Sequence, residues 1–474
     1  MSAVVTLYPA TGERLAEYPA FTDAEVDAAL DRAAEAQQEW AALPLAERAV
    51  VLRRLAAVLR DEVEELALLV TREMGKPLAE ARAEARAEVE KCAVTCDYYA
   101  DNAGAFLADE PVETSADRSW ISYEPVGVVL AVMPWNFPLW QVLRFAAPAL
   151  MAGNGALLKH SPNTTGCALA VQRLVTAAGT PEGLFGALVV AEPDVPAVTQ
   201  RLIADPRIGA VTITGSERAG RAVGAAAGDA IKKSVLELGG SDAFVVLADA
   251  DLPRVAALAA RGRLMNAGQS CISPKRLVVD ASVAEEFTRL LVAEVESLVV
   301  GDPQEPGTNV GPMARADLRD GVHRQVEASV AAGARLLTGG RPLDGAGNFY
   351  APTVLTDVAP GHVAYDEEIF GPVATVIVAD GDDDAVRIAN DTRFGLGASV
   401  WTTDPERGIA VARRIRSGAA FVNALVASDA RMPFGGTRAS GYGRELAAAG
   451  IREFVDVRTW WVLDEPAPTA PASE

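Results

Sequence analysis

Four short segments carry residue types suited to acyl-transfer chemistry at a nucleotide-binding crevice. Cys271 stands in NAGQSCISP, flanked by Gln269, Ser270 and Ser273 rather than by large apolar residues. A structural cysteine packs among apolar neighbours, so this setting reads as a loop holding a thiol at a cleft; an incidental thiol is the competing reading. Glu237 ends the apolar run SVLE and is followed by Gly239 and Gly240. A carboxylate at a strand's carboxyl end projects into the crevice where α/β sheets bind ligands and could act there as a base. A solvated strand end with a turn is the alternative. Asn136, in PWNFP, lies between a strand end and a helix expected to begin at Pro138. Its amide could donate to an oxyanion or cap the helix. The run Thr214-Gly215-Ser216-Glu217-Arg218-Ala219-Gly220 follows a strand and opens a helix. Donors at such a helix start suit a diphosphate, although the full G-x-G-x-x-G pattern is absent. Lys159 closes the strand ALLK and would project into the same crevice or into solvent.

These side chains need a scaffold that puts strand ends side by side. Apolar runs at 126–133, 156–158, 186–190, 209–213 and 243–247 read as strands buried on both faces, separated by helices at 142–151, 166–178 and 217–228. Such alternation predicts a parallel α/β sheet. A second series follows, with helices at 251–267, 282–298, 315–332, 383–390 and 405–416. Its strands are expected near 276–280, 334–337, 373–378, 397–402 and 419–423. The boundary between two α/β domains is expected near Gly239-Gly240. Residues 22–108 read as helical, with Asp23 as first cap and Pro44 as an interruption. Residues 117–124 and 454–463 are aromatic and β-prone, and read as edge strands open to pairing with another chain.

Composition narrows the function classes. The chain has 474 residues, enough for two or three domains, and a formal net charge of −21. That balance argues against nucleic acid or an anionic membrane as partner. The cysteines, Cys92, Cys96, Cys167 and Cys271, form no disulfide framework, and no ligand cluster suggests a metal. With no secretory signal or spanning segment visible, the expected compartment is the reducing cytoplasm.

Taken together, PWNFP at 134–138, TGS at 214–216, ELGG at 237–240, GQSC at 268–271, EIFGPV at 368–373 and PFGG…SGYGRE at 433–445 resemble the aldehyde dehydrogenase superfamily, in its order and over nearly the whole chain. The resemblance implies a fold of two Rossmann-like parallel α/β domains plus a small β oligomerisation segment. Residues 1–108 and 126–239 would bind NAD(P), 240–440 would be catalytic, 109–125 and 441–463 would oligomerise into a homodimer or homotetramer, and 464–474 would be a disordered tail. It also implies roles. Cys271 attacks the aldehyde, Asn136 stabilises the oxyanion, and Glu237 activates the water that hydrolyses the thioester. For the cofactor, NAD or NADP, the implied residues are Trp135, Lys159, Gly215, Ser216, Glu368 and Phe370. Glu445 has either a proton-transfer or a structural role. Many NAD-specific relatives carry a Glu three residues after the lysine. Here Lys159-His160-Ser161-Pro162 has no carboxylate, so nothing repels a 2′-phosphate, and His160 or Ser161 could contact it.

Within the superfamily, residues 135–154, LLKHSPN at 157–163 and ELGGSDAFVVLADADL are most similar to bacterial succinate-semialdehyde dehydrogenases. Arg144, eight residues after Asn136 and one turn beyond Trp140, is expected to clamp a substrate carboxylate; pairing with a protein carboxylate is the alternative. Ser428 and Arg431 are expected to add anion contacts. Glutarate semialdehyde, CoA as acyl acceptor, a cofactor-independent thiol hydrolase and a non-catalytic scaffold are the other readings. The hydrolase would need a histidine partner for Cys271, and His160, His323 and His362 lie in no such motif.

Overall fold

The structure, a computed structural model, describes residues 2–465, and for 79–87 the backbone path alone. The chain opens with a hairpin that periodicity does not reveal, Ala3–Leu7 against Arg14–Pro19, turned with the help of Gly12 at φ 78°. The expected helical stretch is four helices, Asp23–Ala42, Leu45–Asp61, Val63–Met74 and Leu78–Phe106, with the first break at Pro44. Thr22, not Asp23, caps the first. Its hydroxyl accepts from the Glu25 N–H at 3.3 Å and its own N–H donates to the Glu25 carboxylate at 2.7 Å. This reciprocal box satisfies two helix-end donors, which Asp23 alone cannot do.

The apolar runs form a six-stranded sheet in the order Gly441–Tyr442, Lys233–Glu237, Ile208–Thr214, Val128–Met133, Gly155–His160, Phe185–Ala187. All neighbours are parallel except the first pair. The run expected at 186–190 is a strand only as far as Ala187. Gly441–Tyr442 lies antiparallel to the Glu237 strand with Gly441 opposite Glu237, so these two residues belong to this sheet and not to the oligomerisation segment. A two-residue ladder has no period, so sequence pattern does not show it.

The second sheet has seven strands, Arg335–Thr338, Thr353–Thr356, Val373–Ala379, Pro274–Asp280, Asp242–Val246, Gly397–Trp401 and Ala419–Val422, parallel but for the first pair. Thr353–Thr356 is an addition to the expected set. Two helices end earlier than their apolar period suggests, at Leu264 and at Ala412. Beyond Leu264 the backbone turns left-handed at Asn266 (φ 53°), Ala267 (φ 51°) and Gly268 (φ 72°). Helices cover both faces of each sheet. Side chains such as Leu130, Phe145, Leu157, Phe244 and Leu277 are wholly buried, each worth about 1.5–3 kcal/mol.

A third, three-stranded sheet pairs Val455–Val462 with Arg118–Pro125 over eight residues, with Glu110–Pro111 beyond. Trp120 stacks on Trp460 at 5.2 Å. Val457 and Trp461 are 63% and 54% exposed on its outer strand. The expected disordered tail lies, from residue 466 on, outside the described residues. Among the described residues no helix is long and apolar enough to cross a membrane.

Candidate active site

The left-handed turn after Leu264 creates the thiol loop. Non-glycine residues enter this region at a cost, so something must hold them there. Asn266 does so, its amide donating to the Asn136 carbonyl at 2.9 Å and the Gln269 carbonyl at 3.3 Å. The Asn136 amide in turn donates to the Gln269 carbonyl at 3.2 Å, two residues before Cys271. Asn136 is thereby brought against the thiol loop across the two sheets. Its backbone is set by Glu88, whose Oε1 accepts from the N–H groups of Leu139 (3.1 Å) and Trp140 (3.0 Å). The helix therefore begins at Trp140, not at Pro138.

Lys275 closes the loop from the other side, and sequence reading missed it. Its ammonium donates to the carbonyls of Ser270 and Cys271, both at 2.7 Å, and pairs with Glu368 at 3.0 Å. The missed signal is a lysine inside the otherwise apolar strand Pro274–Asp280. Gly240 N–H donates to Glu368 at 3.2 Å, and a Cβ at Gly239 would collide with that carboxylate. The two glycines thus allow Glu368 to lie against the chain between the sheets. Burial pushes the Cys271 thiol up to about 11, against the pull of Lys275 and Arg144.

Glu237 sits at its strand end with both carboxyl oxygens buried and without a hydrogen-bond partner. Gly435 packs against it, since a Cβ there would come within 2.6 Å of Oε1. Burial, and next the charge of Glu445, hold its pKa well above the ordinary carboxylate range. This carboxyl pair places Glu445 in the site.

Arg144 departs from expectation. It is 2% exposed, ion-paired through Nε to Glu445, bonded through Nη2 to Thr214 (3.3 Å), and packed over the Phe434 ring. A guanidinium held this way is no free clamp for a substrate carboxylate. Removing it leaves a buried carboxyl without its counter-charge. Arg144→Met is expected to lower stability by about 3 kcal/mol, read from urea denaturation. An unchanged midpoint with a KM rise confined to carboxylate-bearing aldehydes would return Arg144 to the substrate.

Arg431 is also occupied, donating through Nε and Nη2 to Asp429 with its side chain 76% exposed. Trp140 and Ser428, by contrast, meet at Lys91, a residue sequence reading did not single out. The Lys91 ammonium lies 4.3 Å from the Trp140 ring centroid and donates to Ser428 Oγ at 2.7 Å.

On the nucleotide side, a cleft of about 420 Å³ is lined by Ser216, Arg218, Arg221, Glu368 and Arg393, among others. Ser216 Oγ caps the helix Glu217–Asp229 by accepting from Ala219 N–H at 3.3 Å. Arg221 and Arg393 are both paired to Glu217, so the helix N-terminus and Arg218 are what suit a diphosphate here. A second opening shares Glu368 and reaches Phe370, which meets Trp135 edge-to-face at 5.9 Å. Lys159 ends its strand 7% exposed, and burial lowers its pKa to about 8. His160 is not available to a phosphate, because its ring nitrogens bond the Pro138 carbonyl (3.0 Å) and Thr164 Oγ1 (2.8 Å). Ser161 donates to Asn163 at 2.7 Å. His323 lies against Tyr350, and His362 accepts from the Ala359 N–H. None of the three is bonded to Cys271.

Fold and site together define a two-sheet α/β protein with a cleft at a helix start, a thiol loop bonded to the Asn136 amide, and a buried carboxyl at a strand end. The profile of the aldehyde dehydrogenase family matches residues 2–460, and the chain belongs to that family. It is 50% identical over 460 residues to a probable NADP(+) succinate-semialdehyde dehydrogenase of Synechocystis, covering 97% of this chain and 100% of that one. It is 47% identical to the NAD(P)+ succinate semialdehyde dehydrogenase Sad of Escherichia coli, covering 96% and 97%. The crystal structure of the Streptococcus pyogenes succinic semialdehyde dehydrogenase with NADP+ superposes with a TM-score of 0.93 at 36% identity, covering 98% and 100%.

Proposed function

We propose that this chain oxidises succinate semialdehyde to succinate, with NADP or NAD as hydride acceptor. The observation that carries the reading is the bond from the Asn136 amide to the loop that holds Cys271, with Glu237 buried at a neighbouring strand end, in a chain matched over nearly its whole length by succinate-semialdehyde dehydrogenases. Cys271, once its proton has left, attacks the aldehyde carbon. The Asn136 amide and the Cys271 N–H stabilise the oxyanion that forms. Loss of hydride from that carbon leaves a thioester on Sγ. Glu237, after giving up its own proton, takes one from water, and the resulting hydroxide displaces the thiolate as succinate forms.

The residues present fit a nicotinamide dinucleotide. Ser216 and Arg218 at the helix N-terminus would hold the diphosphate, Lys159 the adenosine ribose, Glu368 the nicotinamide ribose, and Trp135 and Phe370 the ring's surroundings. The bound cofactor supplies the hydride acceptor. Pro162 stands where a carboxylate would repel a 2′-phosphate, which favours acceptance of NADP. The free outer strand with Val457 and Trp461 suits pairing with a second copy in a homodimer or homotetramer. The four free cysteines suit a reducing cytoplasm.

The test is reduced-cofactor formation with succinate semialdehyde, glutarate semialdehyde and butanal, each with NADP and with NAD. Succinate semialdehyde is expected to exceed butanal in kcat/KM by about 10²-fold or more. Equal values would overturn the substrate assignment, and rejection of NADP would overturn the reading of Pro162.

A further inference from the structure

Lys275 is 3% exposed, inside the strand Pro274–Asp280. A buried ammonium is unfavourable unless each of its protons meets an acceptor. Here all three do: the Ser270 carbonyl at 2.7 Å, the Cys271 carbonyl at 2.7 Å and the Glu368 carboxylate at 3.0 Å. Charge balance by itself needs only the third. The other two tie the lysine to the peptides on either side of the Cys271 Cα. The glycines of ELGG make room for this arrangement. A Cβ at Gly240 would stand 3.0 Å from the Cys271 carbonyl oxygen, and one at Gly239 would collide with Glu368.

The Ser270 carbonyl and the Cys271 N–H belong to one planar trans peptide, so they point in opposite directions. A cation on the carbonyl side therefore fixes where the N–H aims. It also draws electrons toward the carbonyl oxygen, which makes the N–H a stronger donor. The other donor to that carbonyl is the Ser273 N–H at 3.3 Å, a longer and uncharged bond, so the ammonium dominates. Among the described residues the Cys271 N–H itself has no partner. The loop is thus pinned at three successive carbonyls: Gln269 by Asn136 and Asn266, then Ser270 and Cys271 by Lys275. The charge reaches the thiol as well. Burial raises the Cys271 pKa, Lys275 is the first charge to pull it back, ahead of Arg144, and Glu368 and Asp242 push it up.

We infer that Lys275 is a positioning residue for the oxyanion site: by holding the Ser270 and Cys271 carbonyls, it aims and polarises the Cys271 N–H that receives the aldehyde oxygen. The inference rests on the proposed function. The pair with Glu368 keeps the lysine in place, and the two carbonyl bonds carry its effect on the reaction.

The test is made on the acyl-enzyme. Glu237→Gln, given succinate semialdehyde and NADP, should hold the thioester on Cys271. Its carbonyl stretch, followed by difference infrared spectroscopy, reports how strongly donors grip the acyl oxygen. Adding Lys275→Met should move that stretch to higher wavenumber. Adding Glu368→Gln instead, which removes the ion-pair partner but neither carbonyl bond, should leave it in place. With Glu237 intact, Lys275→Met should slow single-turnover formation of reduced cofactor by about 10²-fold, with KM for the aldehyde within about threefold. Lys275→Gln, which offers an N–H donor without charge, should lose about tenfold. A stretch and a single-turnover rate both unchanged by Lys275→Met would overturn the inference. So would an equal shift of the stretch in Glu368→Gln, because the lysine would then act through that carboxylate. If Lys275→Met does not fold, an unchanged single-turnover rate in Lys275→Gln would decide against it. A wild type that forms no reduced cofactor from succinate semialdehyde would instead sink the function itself, whereas a thioester whose stretch ignores residue 275 would sink the Lys275 assignment alone.

Discussion

Changing Cys271 to serine should lower aldehyde oxidation by on the order of 10⁴-fold or more, with the cofactor cleft intact. A thiolate is a far better nucleophile than a serine hydroxyl at neutral pH, and it leaves more readily from the acyl intermediate. Nothing nearby can compensate. No histidine is bonded to Cys271, and burial and Glu445 push Glu237 toward its neutral form. Among the described residues the Cys271 thiol makes no hydrogen bond, so folding should be unaffected and binding of NADP should persist when followed by fluorescence. The same thiol offers a second readout. Because burial holds it near 11, its alkylation in the cofactor-free protein should still be accelerating well above pH 9, where an ordinary cysteine has levelled off. A Cys271→Ser enzyme retaining a tenth of its activity would remove the thioester from the mechanism.

Glu237→Gln should cut steady-state turnover by about 10²–10⁴-fold while leaving the first half of the reaction in place. The substitution keeps the shape that fits against Gly435 and removes only the ability to take a proton. Because burial and Glu445 already push Glu237 toward its neutral form, the neutral amide alters little charge and stability should hold. The expected progress curve is a burst of reduced cofactor, about one per thiol, followed by a slow phase, with the acyl group found on the Cys271 peptide by mass spectrometry. A uniformly slow curve without the adduct would assign Glu237 to the attack step rather than to hydrolysis.

Much of the scaffold was legible because each strand of a parallel sheet is apolar on both faces and each helix has its own period. The strands that carry Asn136, Lys159, Ser216 and Glu237 at their ends stand where the apolar runs are. What escaped has no period. The Gly441–Tyr442 ladder is too short, and the hairpin at the start of the chain is read only once its strands are seen paired. The turn at Asn266–Gly268 continues an apolar helical pattern but leaves the helix, because the Asn266 amide finds the Asn136 carbonyl in the other half of the molecule.

The sequence by itself determined the chemistry on offer: a thiol, an amide and a carboxyl at loop and strand ends, with a glycine-bearing helix start for a diphosphate. The family order of those motifs followed from the same letters. Only the tertiary structure decided which charges are free. Arg144 reads from its spacing as a cation aimed at substrate, but it is joined to Glu445, 301 positions away and opposite in sign. Lys91 falls in the stretch read only as helical, yet it lies against Trp140 and Ser428 from two other segments. A buried charge takes its role from whichever partner the fold brings within about 3 Å, and that distance is not a property of local sequence.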